Sequence, residues 1–151
     1  MLLQAQIPFA GTGFLVGRNL MMTSRHVASL FTEGLGDGGL RFQDGQTAAV
    51  DFVRDAGSAA SNLMQITRVR MIHRYWDLAV LEIECVPSTV EPMYLNLTDP
   101  ADLQGRDIAV IVYPAFDTRR DARVQNEVFR GLYNVKRLQP GLLKPRAVEQ
   151  S

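Results

Sequence analysis

Two side chains of this chain have the types and surroundings for proton transfer, His26 and Asp77. His26 follows the apolar run Leu20-Met-Met-Thr23 at the end of a strand, where a side chain leaves the core and enters a cleft. An imidazole, with an ordinary pKa of about 6.5, can take and return a proton there near neutral pH. A histidine that only caps the strand end is the other reading. Asp77 opens the strand Leu78-Ala-Val-Leu-Glu-Ile83, between Trp76 and Leu78. A carboxylate between apolar neighbours needs a partner to offset its desolvation. Buried and bonded to a histidine Nδ1, it would fix the tautomer and stabilise the imidazolium during acyl transfer. Bonded instead to adjacent backbone, it would be an ordinary turn aspartate.

The remaining reactive side chains fit chemistry less well. Ser24 shares the strand face of His26 but lacks the strained glycine turn that exposes a nucleophilic Oγ. Cys85 lies at the far end of the strand opened by Asp77, too distant at about 3.3 Å per residue to meet His26, and is expected to be a small buried hydrophobe. Ser151, the last residue given, has no following N–H to help build an oxyanion hole. His73, with Arg74 and Tyr75, is assigned to the surface. Gly11-Thr-Gly13 lacks the third glycine and the helix of a dinucleotide site, so no cofactor is expected. The spacing of His26, His73 and the carboxylates supports no metal.

Strands must position these residues. Short apolar or alternating segments recur between Gly, Pro, Asn and Asp, with no sustained helical period, which indicates an all-β fold. Strands are expected at Gly13–Val16, Leu20–Thr23, Leu40–Phe42, Ala48–Arg54, Gln65–Ile72, Leu78–Glu84, Ile108–Tyr113 and Val128–Leu138. In Gln65–Ile72, Thr67, Val69 and Met71 should share the buried face, opposite Arg68 and Arg70. Gly34-Leu-Gly-Asp-Gly-Gly39 and Ala56–Asn62 read as loops, and Val27–Thr32 as a single helical turn. The first six strands suffice for a small barrel over residues 1–85. Residues 86–107, with Pro87, Pro92 and Pro100, read as a linker, and 108–151 hold only two long strands.

Composition narrows the partners. Lys plus Arg is 16 and Asp plus Glu is 16, without a basic cluster, so no nucleic-acid partner is expected. No run approaches the roughly 18 apolar residues of a bilayer span, so no membrane partner is expected either. Cys85, the sole cysteine, permits no intramolecular disulfide. That suits a reducing compartment, and the N-terminus has no positive n-region, so a cytoplasmic location is expected with secretion left open.

Gly11-Thr-Gly-Phe14, Thr23-Ser-Arg-His26 and Asp77-Leu-Ala-Val-Leu81 together resemble the first barrel of the trypsin-like serine protease superfamily, in particular its bacterial disulfide-free branch. The resemblance covers roughly residues 9–84 well. It implies a trypsin-like six-stranded antiparallel β-barrel followed by an incomplete second barrel, with His26 as general base and Asp77 as its orienter. It implies hydrolysis of a polypeptide substrate by a Ser-His-Asp triad. The family's serine lies in a Gly-x-Ser-Gly turn, and neither Gly131 nor Gly141 begins one here; the specificity pocket is missing as well. The expectation is an N-terminal part of a serine endopeptidase, inactive alone. The alternative is a pseudo-protease or protein-binding module whose open second barrel is covered by a protein partner or by self-association.

Overall fold

The computed structural model describes residues 10–53, 56–57 and 60–145. The chain forms two compact units, Met1–Tyr94 and Leu95–Ser151. It is all-β: nine strands and only short helices are found among the described residues.

In the first unit, β1 (Gly13–Gly17), β2 (Leu20–Thr23), β7 (Ala79–Ile83), β6 (Leu63–Ile72) and β5 (Ala49–Asp51) form an antiparallel half-barrel, hydrogen-bonded in that order. A second hairpin, β3 (Thr32–Leu35) with β4 (Gly38–Phe42), joins the end of β6 through a pair of bonds between Gly36 and Ile72. A one-turn helix, α1 (Arg25–Ala28), leads from β2 towards this hairpin. The central strand is β7, whose alternate residues Ala79, Leu81 and Ile83 are at most 1% exposed. Around them pack Leu15, Met21, Val27, Phe31, Met64, Ile66, Val69 and Ile72. Val86 and Val90 pack on the same core, and the Met93 N–H donates to the Leu15 carbonyl at 2.8 Å. The segment after β7 therefore continues the first unit as far as Tyr94.

All six strands expected before residue 85 are present, and β3 makes a seventh. The expected loop Gly34–Gly39 overlaps the end of β3 and the start of β4. The structure uses those glycines for a bulged hairpin: Gly34 has φ +105°, and a Cβ there would lie 2.6 Å from the Gly39 carbonyl oxygen. The helical turn comes earlier than Val27–Thr32, and Thr32 is already in β3. The strict alternation expected in β6 also fails. Bulges between Ile66 and Arg68 and between Val69 and Met71 shift its phase, so the buried residues are Met64, Ile66, Val69 and Ile72 while Thr67 is exposed. The strand expected at Ala48–Arg54 ends at Asp51, whose carboxylate accepts from the Val53 and Asn62 N–H groups and turns the chain. Arg54 and part of the Ala56–Asn62 loop lie outside the described residues.

In the second unit, β8 (Asp107–Val112) pairs antiparallel with β9 (Arg137–Leu142) in continuous register from Asp107 opposite Leu142 to Val112 opposite Arg137. The strand expected at Val128–Leu138 is overturned. Its first residues belong to the helix α2 (Ala122–Phe129), and β9 begins only at Arg137. Asp121 caps α2 by accepting from the Arg123 and Val124 N–H groups, and Arg130 ends it with φ 51°. No helix among the described residues is long and apolar enough to cross a membrane.

Candidate active site

The site begins where β2 gives way to α1. The Thr23 hydroxyl donates to the Thr12 carbonyl at 2.9 Å, tying the end of β2 to the approach to β1. Ser24 has extended backbone, and the Ala28 N–H then donates to its carbonyl at 3.1 Å. Val27 and Ala28 turn into the core, which leaves His26 facing outward. His26 is thus in the first turn of a helix rather than at a strand end. Gly11 fits closely beneath this turn, since a Cβ there would lie 2.5 Å from Val27 Cγ2.

Asp77 reaches α1 from the connection between β6 and β7. Its Oδ2 lies 2.6 Å from His26 Nδ1, and its Oδ1 accepts from the His26 backbone N–H at 2.9 Å. The first N–H groups of any helix have no internal acceptor, and the Ser24 side chain supplies none here. One carboxylate therefore both caps the helix and holds the ring that the helix presents. Asp77 does bond to backbone, but to that of a residue 51 positions away.

The pair is open to solvent, with side chains 73% exposed for His26 and 52% for Asp77. Burial between Trp76 and Leu78 was expected; instead Trp76 is itself 69% exposed. The Asp77 carboxyl is held below its ordinary value of 3.8, first by the His26 backbone N–H and then by the His26 side chain. An ionised carboxylate only accepts hydrogen bonds, so the proton between the two groups belongs to Nδ1. In the neutral form of a ring so held the lone pair is on Nε2, the form a general base requires.

That order of causes has a consequence for His26→Ala. The variant keeps the backbone N–H and loses only the ring, so the Asp77 carboxyl should rise part of the way and stay below 3.8. A carboxyl ¹³C titration followed by NMR checks this; a return to the ordinary value would show that the backbone bond is not the main cause.

Other expected residues are placed elsewhere. Ser24 sits at the N-cap of α1 with φ −74°, free of backbone strain. Cys85 lies beyond the end of β7 opposite to Asp77, since the register sets Thr23 against Ala79 and Leu20 against Glu82. It is exposed with φ 37°, not buried as expected, because it follows the strand rather than belonging to it. No three His, Cys, Asp or Glu side chains among the described residues gather as a metal site. Sequence reasoning missed Arg25, which donates to the carbonyls of His73 at 3.2 Å and Arg74 at 2.9 Å and so ties α1 to the connection that carries Asp77.

A family model described as a trypsin-like peptidase domain matches residues 11–142. No curated protein and no solved structure is a significant match to the chain.

Proposed function

Because the chain belongs to the trypsin-like peptidase domain family, we propose that it is the N-terminal part of a serine endopeptidase. In this reading His26 and Asp77 act on a serine carried by further polypeptide. The observation that supports it most is the single carboxylate bonded to both the backbone N–H and Nδ1 of His26. That arrangement leaves Nε2 as the base. In the proposed reaction Nε2 takes the serine proton as Oγ attacks the peptide carbonyl. The same proton passes to the amine as the C–N bond breaks. Water, activated by the freed Nε2, then hydrolyses the acyl-serine ester. Asp77 stays ionised throughout and stabilises the imidazolium.

The serine and the oxyanion hole are assigned to polypeptide outside this sequence. Ser151 is the sole serine after Asp107, and no Gly-x-Ser-Gly turn occurs. The 151-residue chain alone should therefore not react with a fluorophosphonate probe. A polypeptide extended through a Gly-x-Ser-Gly segment should react, and His26→Ala should abolish the reaction. Labelling of the chain alone that disappears in His26→Ala would overturn the assignment by placing the nucleophile within these residues.

One observation favours a second reading, a protein-binding module on the same barrel. The paired strands β8 and β9 expose Ile111, Leu138 and Leu142 on one face and Ile108 and Val110 on the other, and a protein partner or a second copy would cover the larger of these apolar faces. A coding frame that stops at residue 151 and a chain that sediments as a complex or oligomer would support it. A frame that runs on into Gly-x-Ser-Gly supports the peptidase.

A further inference from the structure

The connection from β6 to β7 reverses the chain over His73–Leu78 and has to hold Asp77 at the correct height against α1. Backbone N–H groups inside so tight a reversal have no strand partner and need acceptors from elsewhere. His73 supplies one. Its Nδ1 accepts from the Tyr75 N–H at 3.1 Å and the Trp76 N–H at 2.9 Å. Its ring also stacks on the Trp76 indole, with centroids 4.6 Å apart and planes 7° from parallel. The His73 N–H donates to the Leu78 carbonyl at 2.8 Å, and the Leu78 N–H to the Trp76 carbonyl at 2.8 Å.

These bonds converge on the residues either side of Asp77. Trp76 is held through its N–H, its carbonyl and its ring, and Leu78 through its N–H and its carbonyl. Little rotational freedom remains at Asp77 between them. We propose that His73 is a positioning residue for Asp77: the unprotonated Nδ1 of its imidazole locks the 73–78 turn, and the turn sets the carboxylate against His26. This rests on reading His26 and Asp77 as a catalytic pair. His73 itself touches no reacting atom.

The chemistry makes the role specific. Two N–H donors aimed at Nδ1 require a lone pair there, so the His73 proton resides on Nε2. The tautomer is opposite to that of His26. The bond to Tyr75 spans two residues and the bond to Trp76 three, the spans that asparagine and aspartate side chains make in their own turns. Asparagine can therefore replace the acceptor. Phenylalanine can replace the stacked ring but not the acceptor.

The test is made on the chain itself by NMR, without turnover. At pH 8 the wild-type ¹⁵N imidazole spectra should show His73 protonated on Nε2 and His26 protonated on Nδ1. In His73→Phe the downfield proton between His26 and Asp77 should be lost, and the Asp77 titration should move up towards 3.8. In His73→Asn both signatures should persist. A wild-type His73 protonated on Nδ1 overturns the proposal even if no variant folds. So does His73→Phe with the downfield proton intact, or His73→Asn that loses it while folded. Failure of the peptidase reading is separately visible: the extended polypeptide would show no probe labelling while every NMR signature stayed as stated.

Discussion

Asp77→Asn is expected to move the His26 proton from Nδ1 to Nε2 and to lower kcat of the serine-completed polypeptide by about 10⁴-fold, with KM little changed. The carboxylate offers an acceptor to each of two donors, the His26 N–H at 2.9 Å and Nδ1 at 2.6 Å. A carboxamide offers one acceptor and one donor group. If its oxygen keeps the helix N–H, its NH₂ faces Nδ1, and two donors cannot share that contact. The ring then protonates Nε2 and loses the lone pair that would take the serine proton. The tautomer change is measurable by ¹⁵N NMR on the chain alone, and kcat on the extended polypeptide. Retained Nδ1 protonation, or turnover within tenfold of the parent, would remove Asp77 from the role of orienter.

The same variant should flatten the acid limb of the stability curve. The Asp77 carboxyl is held below its ordinary value of 3.8 in the folded chain, so its contribution is fully present above that value, which the unfolded chain keeps. It is lost as the pH falls through the lower folded value. With both side chains largely exposed the contribution is modest, but its sign is fixed. Asp77→Asn should accordingly lose stability at neutral pH and differ little from the parent at the acid end.

The pairing of His26 with Asp77 was legible because each lies in a local context with its own structural requirement. Thr23-Ser-Arg-His26 leads out of a strand, and Asp77-Leu-Ala-Val-Leu81 leads into one. In the structure Ala79, Leu81 and Ile83 alternate along β7 and share its buried face, although the run Leu78-Ala-Val-Leu-Glu-Ile83 is apolar at both parities. What was hidden depends on partners remote in sequence. Helix α1 starts at Arg25 because Asp77 supplies an acceptor to its first turn, which no residue near Ser24 reveals. The bulges of β6 arise from its register with β7 and leave no mark on its own polarity pattern. For α2 the signals were present and read wrongly: Asp121 is a capping residue, Gly131 with φ 69° follows the helix, and the residues between favour helix more than strand. His73 looked like a surface histidine because its acceptor role appears only once the chain reverses over Tyr75 and Trp76.

The other large effect belongs to the core. Leu81→Ala is expected to cost about 2–5 kcal/mol, a large part of the roughly 5–15 kcal/mol that stabilises an ordinary domain. Leu81 is 0% exposed on the central strand, paired with Met21 of β2 on one side and Val69 of β6 on the other. Both partners are buried, so the removed volume opens a cavity rather than a surface notch. Met21 and Met64 line the same core, and unbranched methionines can lean into a gap, which places the cost in the lower half of the range. Val80, half-buried on the opposite face of β7, provides the contrast: its replacement by alanine should cost less than half as much. Urea unfolding at constant m-value measures both, and a Leu81→Ala cost below 1 kcal/mol would contradict a core centred on β7. Asp77 lies just before this strand, and Thr23 is paired with Ala79 within it. A cavity at Leu81 that leaves the register intact should therefore spare the downfield His26 proton below the unfolding transition, separating loss of stability from loss of the site.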